Sequence, residues 1–186
     1  ASYVFSILDI FKPEELDDYS LVWYLIAKGD YALYQLSYFG KVNDAFLILI
    51  DCFDTLKKRN IVLSMASVML QRDLGIAFQK LYEYKESLKC FEDMMNPPII
   101  SIEFGRNSFS NIISMEQIAK TYSGLRDYNI ADSLLVEAIK IVDDNSLTNS
   151  LIGMSLYASY ASNLSLQKEY ELASEAYKKS RESGEI

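Results

Sequence analysis

The stretch Gly40-Lys41-Val42-Asn43-Asp44-Ala45 has three counterparts further along the 186-residue chain. They are Tyr82-Glu83-Tyr84 with Ser87, Arg126-Asp127-Tyr128 with Ala131, and Lys168-Glu169-Tyr170 with Ala173. The third residues of the four stretches stand at positions 42, 84, 128 and 170, at intervals of 42, 44 and 42 residues. Self-similarity at a nearly constant period of tens of residues indicates stacked structural repeats. The sequence therefore predicts a repeat array.

Each repeat has the pattern of two helices. Between positions 128 and 142 the apolar residues follow one another at spacings of three and four, as on one buried helix face. The alternation typical of strands persists nowhere for more than a few residues. The predicted helices pair as 18–39 with 43–57, 61–81 with 84–96, 108–125 with 128–142, and 147–167 with 170–183. Because each connection within a pair is short, the two helices of a pair are predicted to be antiparallel.

Capping residues and prolines mark the predicted helix boundaries. The predicted N-caps are Asn60, Asn107 or Ser108, and Ser146. Pro97-Pro98 ends a helix, since proline has no amide hydrogen and disfavours helix in the residue before it. The segment 99–107 is predicted to be an exposed loop, and the apolar residues 1–12 the remnant of a preceding helix closed by Lys12-Pro13. Because the chain opens on Ala1 rather than on Met, we expect a fragment of a longer protein.

Composition excludes several classes of partner. The formal charge is −8, with 26 acidic against 18 basic residues, which disfavours binding of nucleic acid by this chain itself. No run approaches the roughly 18 continuous apolar residues of a membrane span, so no membrane contact is expected. Cys52 and Cys90 both fall in helices with one apolar face, where a buried small hydrophobe is the simplest interpretation.

Catalytic and cofactor chemistry finds no support in the residues. The chain contains no histidine, which rules out imidazole acid–base chemistry, histidine metal ligands and histidine-dependent triads within it. No glycine-rich loop that could cradle a phosphate is present. The acid pairs are more simply helix ends and solvated turns than catalytic dyads: Glu14-Glu15, Asp17-Asp18 and Asp143-Asp144. We expect neither an enzyme nor a cofactor or metal site.

The repeated residues resemble those of the tetratricopeptide repeat (TPR) family. That family has helix–turn–helix units with small residues in both helices and a Gly-Asp-Tyr-like turn between them. The second unit offers Gly75, Phe78, Tyr84, Ser87 and Phe91; the third Ala119, Tyr122, Tyr128, Ala131, Leu135 and Ala138; the fourth Ala161, Leu164, Tyr170, Ala173, Tyr177 and Ser180. The first unit is the weakest match, with Leu33 where a small residue is usual. The period of 42 to 44 exceeds the usual 34.

The resemblance implies an all-α, right-handed superhelix of about four antiparallel helix pairs in one array. Its units would be about 18–57, 61–96, 108–142 and 147–183. Small residues would allow close approach of two helices, and Tyr84, Tyr128 and Tyr170 would wedge between adjacent pairs. Each pair would leave an apolar face that only the next pair can cover.

In such arrays the first helix of each unit lines a concave groove. This face, projected onto the chain, gives a candidate binding groove for a protein or peptide: Tyr34, Tyr38, Arg72, Ile76, Gln79, Glu116 and Lys120. Tyrosines would supply rigid contact area and Arg72 a partner for a carboxylate. The alternative is that these residues are only the solvated face of a scaffold, with Glu116 and Lys120 forming a surface ion pair. The lysine and asparagine clamp of chaperone-binding members is not matched.

Two functions follow from the resemblance. The first is the sensor or ligand-binding part of a bacterial regulatory protein, either cytoplasmic or extracytoplasmic. Long-period repeats of this kind are similar to those of bacterial signalling regulators. The alternative is a free-standing scaffold for assembling a protein complex. The face of the last pair that is rich in serine and alanine, from Ser155 to Ser165, is predicted to pack against another helix, in a homodimer or in a further unit.

Overall fold

Helices form all the regular secondary structure in the described residues, which are 7–61, 65–95 and 109–184 of the computed structural model. Two short three-ten helices, Ile7–Ile10 and Pro13–Glu15, come first. The α-helices that follow are α1 (Asp18–Phe39), α2 (Val42–Lys58), α3 (Met65–Lys80), α4 (Tyr84–Met95), α5 (Phe109–Leu125), α6 (Tyr128–Asp144), α7 (Leu151–Leu166) and α8 (Tyr170–Gly184). The predicted all-α class is confirmed.

The chain divides into two compact units, residues 1–90 and 91–186, with the boundary inside α4. In the first unit α1 packs against α2 and α3. In the second unit α5 packs against α6 and α7, and α7 packs against α8. Helices that follow one another across a short turn are therefore neighbours, as the brevity of the connections predicted.

Each turn within a helix pair contains a residue in the left-handed conformation. It is the first residue of the repeated stretch in every case: Gly40, Tyr82, Arg126 and Lys168, with φ of 63°, 63°, 68° and 69°. At the last three of these turns the amide of the next residue donates to the carbonyl five positions earlier, as when Glu169 N–H bonds Leu164 O at 3.0 Å. This is the Schellman arrangement, which satisfies carbonyls at the end of a helix. The repeated stretch is thus a helix stop followed directly by a helix start.

Two predicted N-caps instead end the helix before them. Asn60 and Ser146 have φ of 56° and 58°, and each is followed by an amide that reaches back five residues, from Ile61 to Leu56 O and from Leu147 to Val142 O. Helix α7 is capped by Ser150, whose side chain accepts from Gly153 N–H. The predictions were wrong because a small polar residue suits a left-handed C-terminal position as well as an N-cap. The alternatives Asn107 and Ser108 lie outside the described residues.

The chain before α1 differs from the predicted remnant of an α-helix. Ile7–Ile10 is a single three-ten turn, and Pro13 opens a second one, because its fixed φ suits the start of a helix. Asp17 then caps α1 by accepting the amide of Ser20 at 2.7 Å. The part of this prediction that concerns residues 1–6 lies outside the described residues, as does the predicted loop at 99–107.

Small residues occupy the same buried position in all four pairs. The three alanines of the repeated stretches, Ala45, Ala131 and Ala173, and the corresponding Ser87 are all buried. In the second unit Ala131 joins a core built by α5, α6 and α7 around Ile112, Leu135 and Leu156, and Ala173 joins a smaller one with Ala161 and Leu164. In the first unit the core includes Leu21, Leu25, Leu49 and Leu70. A larger side chain at these positions would force the helices apart.

The predicted tyrosine wedges are not uniform. Tyr84 and Tyr128 are half-buried, whereas Tyr170 is 66% exposed and therefore does not fill a space between helices. A tyrosine at this position is buried only where neighbouring helices lie over its ring.

Both cysteines are buried, as predicted. Burial raises the pKa of the Cys52 thiol to about 12, with smaller effects from Lys28, Asp51 and Asp73. A thiol this far from its thiolate form is unreactive at neutral pH, so Cys52 serves as a core residue.

The left-handed turns predict opposite effects for glycine and non-glycine residues. Gly40→Ala should lower the free energy of unfolding by about 1 kcal/mol, although there is open space around the glycine, because alanine is strained at this φ. Lys168→Gly should raise it by up to about 1 kcal/mol by removing the same strain. Urea denaturation of each variant measures both. The matched control is Lys178→Gly within α8, where the same change should cost about 1 kcal/mol. Equal losses for both lysine variants would contradict the turn geometry.

Close approach of α5 and α6 predicts a cost for any added bulk at Ala131. Ala131→Leu should destabilise the protein by about 1–3 kcal/mol, because the residue is fully buried in the core of the second unit. Ser133→Leu is the control, since Ser133 is exposed on the same helix and should change stability by less than about 0.5 kcal/mol. Thermal unfolding followed by circular dichroism compares the two variants, and equal melting temperatures would show that the helix pair is not tightly packed there.

Candidate binding face

The predicted groove residues fall in both units, on the first helix of their pairs. Tyr34 and Tyr38 lie on α1, and Arg72, Ile76 and Gln79 lie on α3 of the first unit. Glu116 and Lys120 lie on α5 of the second unit. Within each unit the structure shows which of these side chains meet and which are already engaged.

An aromatic cluster stands at the end of α1. The rings of Tyr34 and Tyr38 are 4.9 Å apart between centroids and tilted by 42°, and Phe39 meets Tyr34 edge-on at 5.5 Å. Tyr34 is half-buried, whereas Tyr38 is 76% exposed and Phe39 is also exposed. Ring pairs in these arrangements hold one another in place. The cluster therefore presents aromatic surface to solvent, and the sequence prediction of this face missed Phe39.

Arg72 is held by two carboxylates instead of being open to a ligand. Its guanidinium bonds Asp30 of α1 at 3.0 Å and Asp73 of its own helix at 2.6 Å. The Arg72 side chain is only 17% exposed. Its first role is thus to connect α1 with α3, and any carboxylate of a ligand would have to compete with Asp30. Ile76 and Gln79 are half-buried on the same helix.

Glu116 is buried, in contrast to the predicted surface ion pair. The pairing with Lys120 is present, at 2.7 Å, but the glutamate side chain is 6% exposed. Its Oε1 also accepts hydrogen bonds from Ser155 and Ser159 of α7, both at 2.7 Å. Burial raises the pKa of Glu116, but the charge of Lys120 and the three hydrogen bonds outweigh it, so the pKa lies below its usual value. Glu116 therefore connects α5 to α7 as a charged group.

A second polar cluster of the same unit surrounds Asn163. Its side-chain oxygen accepts from the Ser123 hydroxyl of α5, and its amide donates to Tyr128 O at 3.2 Å and to Asp132 at 2.8 Å, both on α6. Gln167 donates to the other oxygen of Asp132 at 2.8 Å. Asn163 is almost fully buried. The side-chain amide of Asn163 thus connects three helices, and both its oxygen and its nitrogen are hydrogen-bonded.

Sequence reasoning missed Asp73 and Asn163, although a signal for both was present. Asp73 follows Leu70 by three residues and precedes Ala77 by four, so it lies on the apolar face of its helix. Asn163 lies between Ala161 and Leu164, both of them buried. A polar residue on an apolar helix face is the sequence signature of a buried polar contact.

The serine-rich face of α7 is partly used inside the second unit. Ser155 and Ser159 donate to Glu116 of α5, a contact within the chain that the prediction of a homodimer or a further unit did not include. Ser162 is exposed. Self-association through this face stays a prediction.

Comparison with solved structures identifies the architecture. Two crystal structures of nearly identical TPR-like repeats, assigned to a putative kinesin light chain of Podosopora anserina, match 96% of this chain and 82% of theirs. Their TM-scores are 0.64 and, for a form with one substituted residue, 0.66. The fold is TPR-like. At 15% and 14% sequence identity the similarity establishes the fold alone.

Other comparisons add nothing to this TPR-like fold. No family model and no curated protein matches the chain. Across the described ranges, no helix combines the length and the apolar character needed to cross a bilayer.

The Glu116 contacts predict a pH-dependent contribution to stability. Because the folded pKa of Glu116 is lowered, its contribution is present above the unfolded value of 4.5 and is lost as the pH falls through the folded pKa. Glu116→Gln should cost about 1.5–3 kcal/mol at pH 7 and progressively less below pH 4.5. Urea denaturation at a series of pH values measures the difference. The control is Glu175→Gln, at an exposed position on α8, and its free energy of unfolding should change with pH as that of the wild type does. A constant gap between Glu116→Gln and wild type across this range would contradict the lowered pKa.

Proposed function

We propose that this chain is a non-catalytic module that binds a protein or a peptide through the first-helix face of its TPR-like units. The observation that carries the proposal is the aromatic cluster of Tyr34, Tyr38 and Phe39, whose rings hold one another while Tyr38 and Phe39 stay exposed. Exposed aromatic surface that is already rigid loses little entropy on binding. The internally paired charges of Arg72 and Glu116, one in each unit, would then set the shape of the first-helix face of their own unit more than they would contact the ligand.

The cluster can be tested with a control from the same helix. Tyr38→Ala removes a side chain that is 76% exposed, and Tyr19→Ala makes the same change at 75% exposure near the start of α1. Both rings have one aromatic neighbour within reach, Tyr34 for Tyr38 and Trp23 for Tyr19. The two substitutions should therefore affect folding to a similar degree.

A peptide library displayed on phage and selected against the immobilised chain supplies the ligands. We expect Tyr38→Ala to weaken binding of the selected peptides at least about tenfold and Tyr19→Ala to change it less than about twofold, as measured by fluorescence anisotropy. Circular dichroism confirms equal helicity. Equal binding by both variants would place the binding surface elsewhere, and a selection that yields no peptide would contradict the proposal of a peptide-binding module.

The more specific role that we propose is the sensor part of a bacterial regulator. It is supported by the long period of 42 to 44 residues and by the TPR-like fold. The alternative is an assembly scaffold. A DNA-binding or kinase domain encoded in the same native gene would favour the regulator. Further repeats alone on both sides would favour the scaffold.

A further inference from the structure

Asp73 is a carboxylate in the interior of the first unit with only one of its oxygens satisfied. The residue is fully buried on α3. Oδ1 accepts a hydrogen bond from Arg72 Nε at 2.8 Å and forms an ion pair with Arg72 Nη2 at 2.6 Å. Oδ2 is shielded from solvent and has no hydrogen-bond partner among the residues that the structure describes. A carboxylate in this state lacks half of the hydrogen bonds that it would make in water, which makes its charged form costly.

Gly29 of α1 is what lets Asp73 face its neighbour so closely. A Cβ atom at this glycine would overlap Oδ2 of Asp73 and stand 2.8 Å from Leu70. The unpaired oxygen is therefore directed at the backbone of α1, at the contact between two first helices of the same unit. No side chain would fit at this position of α1.

The charged and titratable groups around Asp73 come from three helices. Arg72 is on its own helix, Asp30 is on α1, and Cys52 is on α2. Arg72 also bonds Asp30 at 3.0 Å, so that one cation is shared by two carboxylates. Asp30 has 52% of its side chain exposed and keeps much of its hydration, whereas Asp73 has none. A proton on Asp73 therefore removes a charge that has lost its hydration.

We propose that Asp73 binds a proton on Oδ2 in mildly acidic solution and that this protonation shifts Arg72 from Asp73 towards Asp30, so that the contact between α1 and α3 responds to pH. The neutral carboxyl group no longer needs the guanidinium, and Asp30 then holds it alone. The inference concerns the helix contact and does not depend on the proposed binding function.

The direction of the stability change follows from the titration. Burial raises the pKa of Asp73 to about 6 against an ordinary 3.8, since the opposing effect of Arg72 is smaller and the charge of Asp30 adds to the rise. The contribution of Asp73 protonation to the free energy of unfolding is thus fully present below pH 3.8 and is lost as the pH rises through about 6. Between about pH 8 and pH 5 the ratio of folded to unfolded protein should increase roughly tenfold through this group alone.

Asp73→Asn tests the inference, because asparagine has the shape of the protonated acid and cannot titrate. In the full chain, the wild-type ratio of folded to unfolded protein should gain roughly tenfold over Asp73→Asn between about pH 8 and pH 5, as measured by urea denaturation. Carbon-13 NMR of the side-chain carboxyl groups should show one signal, absent from Asp73→Asn, that titrates near pH 6. Below this pH the Arg72 Nε–H should lose protection, measured as its exchange rate relative to that of free arginine at the same pH.

Two further variants separate a proton-binding role from a merely structural one. Asp30→Asn should move the midpoint of the Asp73 signal to lower pH, because the charge of Asp30 contributes to the raised pKa. Asp44→Asn, an exposed position on α2 of the same unit, should leave the midpoint in place. An Asp73 signal that titrates below the ordinary aspartate value of 3.8, or one that Asp30→Asn does not move, would overturn the proposal. So would equal pH dependence of stability in wild type and Asp73→Asn.

Discussion

The left-handed residue in each turn is the constraint on which the rest of the fold depends. It stops one helix and allows the next to start two residues later, which fixes both helices of a pair as antiparallel neighbours. The small residue five positions after it is then brought to the helix contact, as with Ala45 after Gly40 and Ala131 after Arg126. Three of the four turns accept the strain of a non-glycine residue at this position. Tertiary contacts must therefore offset this strain at the turns.

The repeat period also determines which side chains can meet between successive pairs. Asp30 and Arg72 are 42 positions apart, Ser159 and Glu116 are 43 apart, and Ser123 and Asn163 are 40 apart. Each separation is close to one period, because equivalent positions on adjacent first helices lie side by side in a stacked array. The polar contacts of both units thus follow the same geometric rule, although their residue types differ.

The helix pairs and their small buried positions could be predicted from sequence because they depend on local chemistry. Turn residues, apolar spacing and the recurrence of alanine all lie within a few residues of one another. The state of the candidate face could not be predicted in the same way. Whether Arg72 is open to a ligand depends on Asp30, and whether Glu116 is solvated depends on two serines of the next pair. These partners lie about one repeat period away in the sequence, beyond the range of local patterns. The exposure of Tyr170 likewise depends on which helices lie over it.

Buried acids lie at the contact between first helices in both units, but the free-energy cost of burying the charged form differs between them. Glu116 accepts three hydrogen bonds on one oxygen, from a lysine and two serines, so its charge is well stabilised where it lies. Asp73 has one oxygen bound to an arginine, and within the described ranges its other oxygen has no hydrogen-bond partner. A buried carboxylate whose charge is stabilised by several donors strengthens a helix contact over the neutral pH range, whereas one with an unpartnered buried oxygen makes that contact sensitive to pH. The two units therefore use similar residues for contacts with different responses to pH, and the difference arises from the neighbours of each acid.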